Sequence, residues 1–324
     1  MALERIGINF SSRRLADESA LAEDLEELKS ASPDFVEVGP HGLGVILGGR
    51  LNEGRAAQVE KVLASAGHAY TVHAPHALDL MDLGTRDLQR DALETSVRFA
   101  ARIGAPVVVC HAGKRVSLRD SRRRLDDQLA AERTVLRELG EIAYNLGVTI
   151  AVENSYPEPP IVRGTTYAYA AWPSGLAGQV AAVEHQAVGI CLDVGHAAVA
   201  SSFFGFDLLK ECAVAAPLVR HVHLHDNLGY PDLTEGGESR VAERLAYGIG
   251  DLHLPPGSGA IPLEKLFENI PFPQARTCCV ELYPGLRHLA KETLAAAREF
   301  LKPAHDEPSE GSRQDGLAPA RTSS

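Results

Sequence analysis

Histidine and carboxylate side chains end a series of short apolar segments in this sequence. The segments TVH, VVVCH, IAVE and ICLD end in His73, His111, Glu153 and Asp193, and His196 follows three residues after the last of them. Imidazole and carboxylate groups are the usual protein ligands of zinc and manganese. Carboxylates that converge also repel one another unless a cation neutralises them. The pattern therefore predicts a divalent-metal site where these segments end.

A histidine-rich segment, RHVHLHDN, extends the same pattern. Side chains alternate between the two faces of a strand, so His221, His223 and His225 share one face. We expect His223 at the rim of the site and His221 one layer deeper. His225 lies beyond the rim and is predicted to contact substrate.

Three more ligand-type residues follow this histidine segment. Glu281 ends the apolar run of CVEL, while Asp251 and His253 lie in GDLHLPPGSGAIP. A single histidine at a strand end commonly has a structural role, since imidazole readily bonds a backbone carbonyl. So many together favour a multinuclear metal site.

The elements that must position these residues are strands alternating with amphipathic helices. This order is typical of βαβ units and a parallel sheet, and eight such units fit one closed (β/α)8 TIM barrel, whose active site lies at the carboxyl ends of the strands. An open dinucleotide-binding sheet would need a glycine-rich loop after Phe10, where Ser11-Ser12-Arg13-Arg14 stands instead. The predicted strands are Ile6–Phe10, Phe35–Val38, Ala69–His73, Val107–His111, Val148–Glu153, Val188–Asp193, Val219–His223 and Thr277–Glu281.

The connection between the seventh and eighth strands exceeds fifty residues, which in a compact domain is usually a functional insertion. We expect residues 1–302 to form the barrel. The segment 303–324 is rich in proline, serine, glycine and charge and is predicted to be a disordered tail.

The net charge, the apolar runs and the cysteine spacing each disfavour some classes of protein function. The chain has 324 residues, with 32 Lys and Arg against 43 Asp and Glu, for a net charge of −11. An acidic chain is a poor match for the phosphate backbone, so nucleic acid is disfavoured as a partner. No apolar run reaches the roughly 18 residues of a membrane span. The five cysteines lack CxxC spacing, which favours reduced core thiols in a cytoplasmic protein.

The motifs LDVGHA, HVHLHDN, DLHLPPGSG and VEL together resemble the xylose-isomerase-like TIM-barrel superfamily. That superfamily contains sugar and sugar-phosphate isomerases and epimerases, and the abasic-site DNA repair enzyme endonuclease IV. The isomerase branch implies one metal ion held by four ligands, with Glu153 and Glu281 also moving a proton as the acid/base pair. Those four ligands are Glu153, Asp193, His223 and Glu281.

The endonuclease IV branch implies nine ligands for three zinc ions, and each has a counterpart here. The first ion corresponds to His73, His111 and Glu153. The second corresponds to the four ligands of the isomerase branch. The third corresponds to His196, Asp251 and His253.

Three reactions are compatible with this resemblance. The larger ligand set favours hydrolysis of a small or medium phosphoester, or a related ester or amide, by metal-activated water with up to three zinc ions. The alternative is isomerisation or epimerisation of a sugar or sugar phosphate on one divalent ion. That ion would be manganese or a similar metal. Cleavage of abasic DNA ranks third because of the chain's charge. In each case Arg163 and His225 are predicted to contact a small anionic or polyhydroxylated substrate.

Overall fold

The fold is that of a computed structural model, which describes residues 3–11, 17–114, 116–117, 122–233 and 241–302. The predicted tail, 303–324, lies outside the described residues.

Eight parallel strands close into a barrel, which confirms the predicted (β/α)8 fold. Strand β1 pairs with both β2 and β8, and every neighbouring pair is parallel. The predicted strand limits are correct to within one residue. The strands are β1 Arg5–Phe10, β2 Val36–Val38, β3 Tyr70–His73, β4 Val107–His111, β5 Thr149–Glu153, β6 Val188–Asp193, β7 Val219–Leu224 and β8 Thr277–Val280.

Helices connect the strands and cover the barrel. Several begin at an Asp or Asn whose side chain accepts a backbone N–H of the first turn, as Asp17 does from Ala20. The helices are α1 Glu18–Lys29, α2 Glu53–Ala66, α3 Arg86–Arg102, α4 Arg122–Asn145, α5 Pro159–Val162, α6 Pro173–Ala181, α7 Val194–Phe204, α8 Leu208–Ala215, α9 Val241–Tyr247, α10 Leu263–Asn269 and α11 Ala290–Phe300.

Short elements complete the connections. Two antiparallel pairs of two-residue strands join Ile46–Leu47 to Arg50–Leu51 and Val116–Ser117 to Thr166–Tyr167. Among the described residues, 3₁₀ turns cover Tyr169–Ala171, Ala216–Leu218 and Pro284–Leu289.

The alternation along the strands decides which side chains enter the barrel. On β7, Val222 and Leu224 belong to the main apolar core beneath the helices, so His221 and His223 face the barrel interior. A separate small cluster of Val107, Val109, Ala151 and Cys191 occupies the interior below the strand ends. On β4 and β5, the strand-end residues His111 and Glu153 thus lie directly above this apolar cluster.

The long connection between β7 and β8 folds back on the mouth of the barrel. It contains α9 and α10. Asp226 and Leu254 exchange two backbone hydrogen bonds of 2.9 and 3.0 Å. This pairing places the segment that carries Asp251 and His253 against the carboxyl end of β7.

The five cysteines are all buried and free, as the sequence predicts. In the parts of the chain that the structure describes, no helix is both long and apolar enough to cross a bilayer.

Candidate metal centre

All nine predicted ligands meet at the carboxyl end of the barrel, in three groups that adjoin Glu153. The first group is His73, His111 and Glu153, and the central group is Glu153, Asp193, His223 and Glu281. The third group is His196, Asp251 and His253, joined by His225, and Nδ1 of His196 lies 3.3 Å from Oε1 of Glu153. Most of these side chains are buried. The exceptions are His111, Asp251 and His253, which are partly exposed.

The first group faces one oxygen of Glu153. Nε2 of His73 lies 3.2 Å from Oε2, and Nε2 of His111 lies 3.3 Å from the same oxygen. Both histidines end their strands, so the sheet itself brings them to neighbouring positions on the rim.

The central group surrounds Nδ1 of His223. This nitrogen lies 3.4 Å from Oε1 of Glu153, 3.5 Å from Oε1 of Glu281 and 3.9 Å from Oδ2 of Asp193. Most of these separations are too long for good hydrogen bonds. Tetrahedral zinc holds its ligand atoms about 3.4 Å from one another, which is close to the observed spacing.

The third group centres on Asp251. Its Oδ2 lies 2.7 Å from Nε2 of His253 and 3.3 Å from Nε2 of His196. Its Oδ1 lies 3.3 Å from Nε2 of His225, which also lies 3.2 Å from Oδ1 of Asp193. The expectation that His225 reaches substrate needs correction, because its side chain has no exposed surface and lies between these two carboxylates.

Backbone carbonyls fix the histidine tautomers. Nδ1 of His73 donates to the carbonyl of Ala74 at 2.7 Å, and Nδ1 of His111 donates to the carbonyl of His76 at 2.9 Å. Nδ1 of His196 donates to a third carbonyl, also at 2.9 Å. Since a carbonyl can only accept, each Nδ1 carries the proton and each Nε2 is free to bind a metal.

Glu37, which the sequence analysis did not single out, supports the central group from below. It lies mid-strand in β2 and is 2% exposed. Its Oε1 lies 3.0 Å from Nε2 of His223, and its Oε2 accepts from the Thr71 hydroxyl. A carboxylate behind a histidine orients the ring and directs its other nitrogen at the metal. The sequence does contain a signal for this role, because Glu37 is an acidic residue between Val36 and Val38 in an otherwise apolar strand.

Charge is concentrated in this centre. Burial raises the pKa of Glu153. His111 and His223 lower it, and the net result is a pKa well below the usual range. Burial likewise raises the pKa of Asp251, and His253 and His225 bring it well below its usual range. Without a metal, the positive charge beside these carboxylates is carried by His223 and His253, whose pKa values the neighbouring carboxylates raise.

The donor set fits divalent zinc. Within the described residues, the buried atoms that lack a hydrogen-bond partner include Nδ1 of His223, Oδ2 of Asp193 and Oδ1 of Asp251. Buried polar atoms are normally satisfied, so such orphans indicate a missing partner. Histidine nitrogens mixed with carboxylate oxygens are zinc ligands, and manganese accepts the same set.

A histidine pKa gives a pH prediction for the metal-free protein. Burial lowers the pKa of His253, but Asp251 and Glu281 raise it, from 6.5 to about 9. Because the pKa of His253 is higher in the folded protein than in the unfolded chain, its proton stabilises the fold fully below pH 6.5. This stabilisation is lost as the pH rises through about 9. We therefore expect the free energy of unfolding of chelator-treated protein, measured in urea, to fall between these values. His253→Gln should flatten this fall, and an equally steep fall in the variant would contradict the assignment.

Asp226 holds the insertion in place. Its carboxylate accepts four backbone N–H groups, from Asn227 at 2.9 Å, Gly257 at 2.9 Å, Gly259 at 2.9 Å and Ile261 at 3.2 Å. A Cβ at position 259 would overlap this carboxylate, so only glycine permits the approach. The carboxylate thereby fixes the segment LPPGSGAI beside Asp251 and His253.

Asp226→Asn should lower the free energy of unfolding by about 3 kcal/mol, because an amide NH₂ would oppose N–H donors that the buried carboxylate now satisfies. Zinc affinity at the third group should fall with it. Asp207→Asn is the matched control, since Asp207 caps an exposed helix end and Asn caps equally well, so the free energy of unfolding should hardly change. Equal effects of the two substitutions in urea unfolding would contradict the role given to Asp226.

Two cavities border His76, and one of them also borders His73 of the first group. One, of about 120 Å³, is lined by Glu37, His41, His73, His76 and Glu281 among others. The second, of about 320 Å³, is lined by residues that include His76, Lys114 and Glu158. His41 and His76 were not singled out by the sequence analysis, because loop residues carry no periodicity.

Arg163 is exposed at the end of α5, in the loop after β5. Among the described residues, no hydrogen bond or ion pair joins it to the three groups. Its contact with substrate stays a prediction.

The fold and the site can be compared with known proteins. A family model described as a xylose isomerase-like TIM barrel matches residues 25–304. That match covers most of the chain, and the chain belongs to this family.

Individual relatives are distant. The chain is 30% identical over 187 residues to an uncharacterized protein of Methanocaldococcus jannaschii, and the alignment covers 56% of each protein, so the chain spans about half the length of this curated relative. A solved D-tagatose 3-epimerase-like protein is 19% identical, with a TM-score of 0.65 over 92% of this chain and 97% of that one. Endonuclease IV from Thermus thermophilus is 22% identical, with a TM-score of 0.56 over 92% and 98%. At these identities the two structures share the fold.

Proposed function

We propose that this chain is a divalent-metal-dependent hydrolase of a small or medium phosphoester, or of a related ester or amide, with up to three zinc ions at the barrel mouth. The observation that carries the proposal is the convergence of nine ligand-type side chains into three groups that adjoin Glu153. A mononuclear enzyme would need the central group alone, and five ligand-type side chains would then have no metal to bind.

Zinc ions, when bound, would supply an acidified water and positive charge for the reacting ester. The chain's own residues prepare the site for them. The carbonyl-bound histidines present Nε2 without rearrangement. Glu153 directs its two oxygens at different groups, so it fixes the distance between them.

The size of the cavities favours a small substrate. The 120 Å³ cavity beside Glu281 is below the roughly 300 Å³ of a typical ligand pocket, so it suits a reacting group and not a whole polymer. The 320 Å³ cavity beside Lys114 would hold the remainder of the molecule. With a net charge of −11, a DNA substrate is disfavoured, and abasic-site cleavage ranks last.

Isomerisation or epimerisation of a sugar or sugar phosphate is the second candidate. The arrangement that favours it is the pair of carboxylates Glu153 and Glu281, which approach the same nitrogen of His223 at 3.4 and 3.5 Å. In that reaction the two glutamates would exchange a proton at the carbon beside a carbonyl. The fold similarity to an epimerase-like protein is compatible with it.

Metal content and turnover together distinguish the two. The full chain, purified without chelator, would be analysed for metal and then assayed on bis-(p-nitrophenyl) phosphate and for deuterium exchange into ketoses. About three zinc ions per chain with phosphoester cleavage would support hydrolysis. One ion with carbon–deuterium exchange would support the isomerase. A chain that takes up no zinc, manganese or magnesium would overturn both.

A further inference from the structure

A third histidine lies beside the first group. His76 follows His73 by three residues, in HAPH, and the rings are stacked with centroids 4.5 Å apart. The His76 and His111 centroids are 5.5 Å apart. One ligand nitrogen from each of His73, His76 and His111 lies within 4.8 Å of the other two.

The backbone and the side chain of His76 are held differently. Its carbonyl accepts the 2.9 Å hydrogen bond from His111, so the backbone is tied to the group. Its ring is exposed and borders both cavities. Within the described ranges the ring has stacking and edge contacts, but no hydrogen bond or ion pair fixes its nitrogens.

We propose that His76 is the fourth ligand of the ion bound by His73, His111 and Glu153. This inference rests on the proposed function, since it presumes a metal ion in the first group. Zinc prefers four ligands, and His73, His111 and Glu153 supply three. The exposed His76 ring offers a further nitrogen on the solvent side, within 4.8 Å of ligand nitrogens of His73 and His111. Because only the backbone of His76 is tied, a substrate oxygen entering between the cavities can replace its ring without unfolding the loop.

The test measures zinc binding and not turnover. The zinc-loaded full chain is titrated with a chelator of known affinity, for the wild type, His76→Ala and the size-conserving His76→Gln. We expect both variants to bind one of the ions at least tenfold more weakly, since loss of an outer partner alone costs about 10–100-fold, and to keep the others. Added imidazole should restore the affinity of His76→Ala.

His68→Ala is the matched control. The His68 ring bonds the carbonyl of Leu25 at 3.0 Å and belongs to none of the ligand groups, so its removal should leave all affinities unchanged. If both His76 variants release zinc like the wild type while His111→Ala loses an ion, His76 is not a ligand and the proposed function stands. If the wild type itself binds no zinc, the proposed function fails and this inference with it.

Discussion

Glu153→Gln should leave at most one zinc ion per chain and lower hydrolytic activity by on the order of 10³-fold or more. One carboxylate oxygen of Glu153 faces the first group and the other faces the central group. The amide has the same shape but no negative charge, and its NH₂ would point at one of the two ion positions. Both groups therefore lose an anionic ligand, while the third group keeps its own carboxylate, Asp251. Elemental analysis of the dialysed protein measures the loss.

Glu132→Gln is the matched control for this substitution. Glu132 is equally buried at 1% exposed, and it accepts hydrogen bonds from Gly113, Tyr169 and Gln179 outside the three groups. Its replacement tests the cost of removing a buried carboxylate as such, and the zinc content should not change. Full zinc content in Glu153→Gln would contradict the shared role of Glu153.

His111→Ala and His253→Ala should each remove one zinc ion and abolish a hydrolase that needs all three. These residues belong to the outer two groups, so the result separates the two candidate functions. In an isomerase that uses only the central group, the same substitutions act through neighbouring residues, and activity should fall about 10–100-fold with the ion retained. Measuring the metal content and the turnover of each variant distinguishes the hydrolase from the isomerase.

His68→Ala provides the control for these two variants. His68 bonds the carbonyl of Leu25 at 3.0 Å and precedes β3, at the opposite end of the barrel from the site. Its loss should change neither zinc content nor turnover. If His111→Ala keeps every ion and full activity, the first group is not part of the working centre.

The sequence by itself determined the barrel and the strand-end members of the site. Successive side chains of a strand point to opposite faces. The position of His111 in the run VVVCH therefore predicts which side chains share its face. In a parallel barrel all carboxyl ends lie on one rim. Together these two rules predicted that His73, Glu153, Asp193 and His223 would meet.

Only the tertiary structure decided how these residues are grouped and supported. Glu37 looked like one acid in an apolar strand, and its place beneath His223 depends on pairing across β2, β3 and the barrel interior. The positions of His76 and of the segment held by Asp226 depend on loops, where no repeating geometry constrains the side chains. Their hydrogen-bond partners are distant in sequence: His76 and His111 are 35 positions apart, and so are Asp226 and Ile261. Sequence periodicity fixes directions within an element, whereas contacts between distant loops are fixed only when the chain folds.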